Sequence, residues 1–223
     1  MKKYIILFLS MLLITSNAYA DKFEDAQKAF KSGNYSQAIK LYEPLALNGD
    51  VRAQDILGSI YRFGIGVSQD YAEAFRWEKL AASQGDAQKQ YWIGVSYETG
   101  YVTKDYAEAV KWYKLSAEQG YAKAQFSLGS MFDNGLGVTQ DYAEAFKWYK
   151  LAAAKGNTSA KLTLGIKYYD GQGGVSQDYV TAHMWFNLAA EKGNKDAIKY
   201  RDLVAAKMTQ QQIADAQKLA REW

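Results

Sequence analysis

One segment of this chain is written four times. It reads QDYAEAFRWEKLAASQG from Gln69, KDYAEAVKWYKLSAEQG from Lys104, QDYAEAFKWYKLAAAKG from Gln140 and QDYVTAHMWFNLAAEKG from Gln177. The Asp-Tyr starts fall at 70, 105, 141 and 178, so the period is 35 to 37 residues. A period of that size means stacked supersecondary units, each unable to bury its apolar face alone.

Two further anchors divide the period. An apolar-Gly pair recurs at Leu57-Gly58, Ile93-Gly94, Leu128-Gly129 and Leu164-Gly165, and a closing Gly recurs at 49, 85, 120, 156 and 193. The Asp-to-closing-Gly distance is always 15 residues, and closing Gly to the next apolar-Gly pair is always 9. Only the piece between the apolar-Gly pair and the next Asp varies, from 11 to 13 residues. Two segments of fixed register and one elastic connector read as helix, loop, helix.

The copied segment is the second helix of each hairpin, helix B. Asp70, Asp105 and Asp141 stand as N-caps with Glu73, Glu108 and Glu144 three residues on, the spacing of a capping box. The fourth copy lacks that Glu and has Thr181 in its place. The first helix, A, is predicted over 51–63, 87–99, 122–134 and 158–170. Its internal Gly costs about 1 kcal/mol relative to Ala, so a fourfold recurrence predicts close approach of a neighbouring helix. Upstream lies a shorter hairpin, with Asn34 as a cap and Pro44, the only proline, expected to kink or shorten its second helix. Downstream, 196–206 reads as helix, and Thr209 caps a last one. The expected organisation is a capping hairpin over 21–50, four repeats over 51–86, 87–121, 122–157 and 158–193, and terminal capping helices over 194–223.

Residues 1–20 follow another pattern. Lys2 and Lys3 precede an apolar run from Tyr4 to Ile14, and Ala18-Tyr19-Ala20 matches a signal-peptidase site. The run is too short to span a bilayer, which needs roughly 20 residues. The expectation is an exported protein, periplasmic or secreted, without stable membrane insertion. No cysteine occurs, which excludes disulfides, a lipidated cysteine and thiolate metal sites. The formal charge is +3; without Lys2 and Lys3, 25 basic residues face 24 acidic ones, and nothing suggests nucleic acid as a partner.

Ala-x-x-x-Leu-Gly-x-x-Tyr-x-x-Gly, a Gly-x-Gly-Val loop (Gly64 to Val67, Gly135 to Val138) and Asp-Tyr-x-x-Ala-x-x-Trp-x-x-x-Ala-Ala-x-x-Gly together resemble the Sel-one-like repeat, a relative of the tetratricopeptide repeat. The resemblance is clear over 51–193 and implies an all-α fold, a right-handed α/α solenoid. It also implies a scaffold that binds protein or peptide through a groove lined by the A helices. Some relatives are described as acting on β-lactam or cell-wall substrates, which gives an alternative reading as an enzyme.

The residues offer that alternative no chemistry. There is no Ser-x-x-Lys, Lys-Thr-Gly, Ser-Asp-Asn or Gly-x-Ser-x-Gly motif, and no phosphate loop. His183 is the only histidine; it aligns with Phe75, Val110 and Phe146, so a packed core position is expected. Basic residues on helix B lie near Glu73, Glu108 and Glu144 and read as a solvated, ion-paired face. No cofactor or metal is predicted, and the protein is expected to be a monomer.

What remains is recognition. Positions that differ between copies are free of the scaffold. On the A helices these include Ile56, Arg62, Tyr91, Trp92, Val95, Glu98, Phe126, Met131, Asp133, Lys167 and Tyr169, the candidate partner-binding groove. Large apolar side chains there would be peptide anchors, the alternative being packing between repeats.

Overall fold

The copied Asp does more than start helix B. In the computed structural model, which describes residues 21–223, the Asp70, Asp105 and Asp141 carboxylates accept the backbone N–H of Glu73, Glu108 and Glu144 at 2.9, 3.0 and 3.0 Å. The returning half of the capping box is absent. Each Asp N–H instead donates to the carbonyl of an aromatic residue on the preceding helix A: Asp70 to Tyr61, Asp105 to Tyr97, Asp141 to Phe132 and Asp178 to Tyr168, at 2.8 to 3.0 Å. That bond closes the connector whatever its length, and it leaves the Glu carboxylates to Arg76, Lys111 and Lys147.

Among the described residues all regular structure is helical. The helices are α1 (21–31), α2 (Tyr35–Leu47), α3 (Val51–Phe63), α4 (Tyr71–Ala82), α5 (Ala87–Thr99), α6 (Tyr106–Glu118), α7 (Ala122–Asn134), α8 (Tyr142–Ala154), α9 (Thr158–Asp170), α10 (Tyr179–Ala190), α11 (Lys195–Ala205) and α12 (Gln210–Glu222). The four A helices α3, α5, α7 and α9 cover the predicted spans. Pro44 does not shorten α2, which runs one further turn to Leu47 with the Asn48 N–H returning to the Pro44 carbonyl. The predicted signal segment, 1–20, lies outside the described residues.

The described residues divide into two units, the first ending at Lys89 and the second spanning 90–223. In the first, α3 packs on α2 and α4, and the core joins Phe23, Ile39, Tyr42, Leu57, Ile60 and Trp77. In the second, α6, α7, α8, α9 and α10 pack each on the next, and α11 and α12 both pack on α10. Within each unit this is the consecutive hairpin packing of an all-α solenoid. No described helix is long and apolar enough to cross a membrane.

The Gly inside helix A has the predicted cause. A Cβ built on Gly94 would lie 2.6 Å from the Tyr113 ring, on Gly129 2.8 Å from the Tyr149 ring, and on Gly165 2.5 Å from the Phe186 ring. Helix B of the same hairpin lays an aromatic face on the bare backbone, where any side chain would collide. In the first repeat the facing atom is only the Glu78 Cγ, at 3.0 Å.

Candidate interaction surface on the A helices

The position four residues after each helix-A Gly meets the residue that covers that Gly. In the first unit the Arg62 guanidinium holds the Glu78 carboxylate with contacts of 2.6 to 2.9 Å. In the second unit Tyr113 donates its hydroxyl to Glu98, and Tyr149 donates to Asp133 Oδ2 at 3.2 Å. Burial first, and then these carboxylates, push the Tyr113 and Tyr149 hydroxyls above the ordinary phenol range. In the fourth repeat Phe186 has no hydroxyl, and Tyr169 packs against its cluster instead of a carboxylate.

Arg62, Glu98 and Asp133 are thus occupied within their own hairpins. The B-helix partners Glu78, Tyr113 and Tyr149 escaped sequence reasoning, yet the signal was present. Across the copies Arg pairs with Glu, Glu with Tyr, Asp with Tyr, and Tyr with Phe, so the two positions change together.

Lys167 and Asp133 are joined as well. Lys167 Nζ on α9 lies 2.7 Å from Asp133 Oδ1 on α7, with the two side chains only 11% and 14% exposed. This pair ties one repeat to the next rather than facing a partner. Met131 is 1% exposed in the core, because it faces Val110 and Tyr113 rather than solvent. Tyr169 sits between the rings of Tyr179 and Tyr200 and accepts a hydrogen bond from Lys207 Nζ at 2.8 Å.

Four of the candidate residues on α5 and α7 keep accessible apolar surface. Trp92 is 51% exposed. Its neighbour Tyr91 is half-buried, with its ring 5.2 Å from Trp92, 5.7 Å from Tyr113 and 5.4 Å from Tyr121. Val95 is half-buried against the same core, and Phe126 is half-buried with its ring 5.6 Å from Tyr149. In the first unit Ile56 is half-buried and lines a cleft between α1, α2 and α3.

The B-helix face differs in kind. Glu73, Glu108 and Glu144 pair with Arg76, Lys111 and Lys147 at 2.6 to 3.0 Å. On the same helices Leu80, Leu115 and Leu151 stand exposed. His183 is buried on α10, and burial lowers its pKa from the ordinary imidazole value. Among the described residues no cluster of three or more His, Cys, Asp or Glu side chains is arranged to hold a metal ion.

Comparison with known proteins places these features. The Sel1 repeat model matches residues 23–50, 51–86, 90–121, 122–157 and 160–194, so the first match falls on the hairpin read above as an amino-terminal cap. Among solved structures the chain is similar to a Sel1 repeat protein from Oxalobacter formigenes, with 34% identity, a TM-score of 0.64, and coverage of 79% of this chain and 73% of that one. It is also similar to c5321, a protective antigen of uropathogenic Escherichia coli with an SLR fold, at 28% identity and a TM-score of 0.48, covering 94% of this chain and 54% of that one. Among curated relatives, protein sel-1 homolog 2 of Mus musculus is 37% identical over 72 residues, 32% of this chain and 10% of the relative. The match therefore spans about a tenth of the length of that relative.

Proposed function

The chain belongs to the Sel1 repeat family, and we propose that it is a non-catalytic scaffold that binds a protein or peptide through the outward side of its A helices. One observation carries this reading. Trp92, a residue not shared by the other repeats, stands half in solvent against Tyr91, whose ring packs on the buried Tyr113. Large aromatic groups braced in this way lose little entropy on contact and dominate recognition energies. The B-helix face, by contrast, repeats the same paired charges and has little that could discriminate between partners.

The pattern of Lys2-Lys3, an apolar run and Ala18-Tyr19-Ala20 supports an exported protein, retained in the periplasm or secreted. The test is affinity capture from those fractions with the chain from Asp21 onward. A specific protein recovered by the wild-type chain should be lost with Trp92→Ala and retained with Lys150→Ala on the B face. Equal recovery by Trp92→Ala and the wild type would overturn the assignment.

A further inference from the structure

The first unit contains a cleft of about 350 Å³ between α1, α2 and α3. This lies at the lower end of the roughly 300–1,000 Å³ range of ligand pockets. Its walls are apolar, formed by Phe30, Tyr42, Ile56, Ile60 and Ile65. Tyr42 and Ile60 belong to the buried core, so the floor is rigid.

Two charged side chains reach the rim. Asp55 is already satisfied, because Lys89 Nζ holds both of its carboxylate oxygens at 2.6 and 2.7 Å. Lys31 is exposed on α1 and has no ion-pair or hydrogen-bond partner among the described residues. The mouth therefore offers one uncompensated cation above an apolar hole.

We propose that this cleft takes one large apolar side chain of a bound peptide whose next residue is acidic, with the carboxylate meeting Lys31. The proposal rests on the scaffold reading above and specifies the chemistry of the partner segment at one position. The apolar walls release poorly held water when filled, and the lysine discriminates by charge.

The probe is acetyl-Phe-Glu-amide, titrated into the 15N-labelled chain, with acetyl-Phe-Gln-amide, acetyl-Ala-Glu-amide and decanoate as comparators. Saturable shifts of the Ile56, Ile60 and Ile65 amides are expected below about 10 mM, a range suited to a single anchor with a millimolar Kd. The Gln peptide should bind about threefold more weakly, as for one exposed charge pair, and the Ala peptide should not bind measurably. Lys31→Glu, a surface change that leaves the core intact, should reverse the Glu-over-Gln preference.

Absence of saturable shifts at these residues, equal affinity for the Glu and Gln peptides, or binding of decanoate alone would each overturn the proposal. Trp92 lies in the other unit, so loss of partner capture by Trp92→Ala would still stand if the cleft proved empty. Failure of both experiments would remove the scaffold reading itself.

Discussion

Lys167 of α9 reaches back to Asp133 of α7, and Asp133 in turn accepts the hydroxyl of Tyr149 on α8. One carboxylate thus joins two hairpins and closes its own. Removing it strands an ammonium in a nearly dry site. Asp133→Ala should destabilise the second unit by about 2–4 kcal/mol, near the range for breaking a buried pair from one side. Asp133→Leu combined with Lys167→Met should recover most of that loss. Urea denaturation of the three proteins checks this, and a loss in the double variant as large as that of Asp133→Ala would show that the stranded charge is not its cause.

The helix-A glycines predict a contrast. Gly94→Ala drives a methyl group into the Tyr113 ring and disturbs its bond to Glu98, so a loss of about 1–3 kcal/mol is expected. Gly58→Ala meets the Glu78 Cγ at 3.0 Å and the Ala74 carbonyl at an ordinary 3.6 Å rather than a ring, and gains helix propensity, so it should stay within about 1 kcal/mol of wild type. Thermal melts of both proteins decide it. Equal losses would mean that the aromatic contact is not what selects glycine.

His183 predicts a pH dependence. It is buried on α10, and burial, followed by the Arg201 charge, lowers its pKa below the ordinary 6.5, with Asp202 opposing. As the pH falls below 6.5 the unfolded chain takes up a proton that the folded chain refuses. Stability is therefore complete above that pH and is lost toward the lower folded pKa, at up to about 1.4 kcal/mol per pH unit. His183→Phe, the residue of the first and third copies, should flatten the slope between pH 5 and 7 in urea titrations. An unchanged slope would assign the acid sensitivity to other groups.

The fourth repeat shows why one copy departs. Leu188 is 6% exposed, whereas its counterparts Leu115 and Leu151 are 46% and 42% exposed. The helix α12 packs on α10, with Ala220 against the core that contains Trp185 and Leu188, and the Trp223 ring 4.9 Å from Trp185. On this helix the Glu, the Arg or Lys, and the Lys of the other copies have become Thr181, Met184 and Asn187. A chain ending at Met208 should lose amide protection along α10 and bind a hydrophobic dye. Met184→Lys with Asn187→Lys should reduce that dye binding. Unchanged exchange after truncation would show that α12 is dispensable.

Helix spans and the glycine contacts were legible because the scaffold is repeated: four copies of one spacing report the same packing four times. The groove was less legible because variation between copies has two causes. Trp92 varies toward solvent. Arg62, Glu98 and Asp133 vary because their partners Glu78, Tyr113 and Tyr149 vary with them. Met131 differs between copies yet faces the core, which periodicity alone does not separate from a half-exposed neighbour such as Phe126. The capping-box expectation failed halfway for a related reason: the Asp N–H is used by the preceding helix, a contact across the variable connector.

The most direct test of the scaffold reading places a photo-crosslinking residue, p-benzoylphenylalanine, at Trp92 or at Lys150 in the cells that express the chain. Discrete adducts to one protein from position 92, and none from position 150, are the predicted result. Adducts from position 150 with none from position 92 would move recognition to the B-helix face and contradict the account.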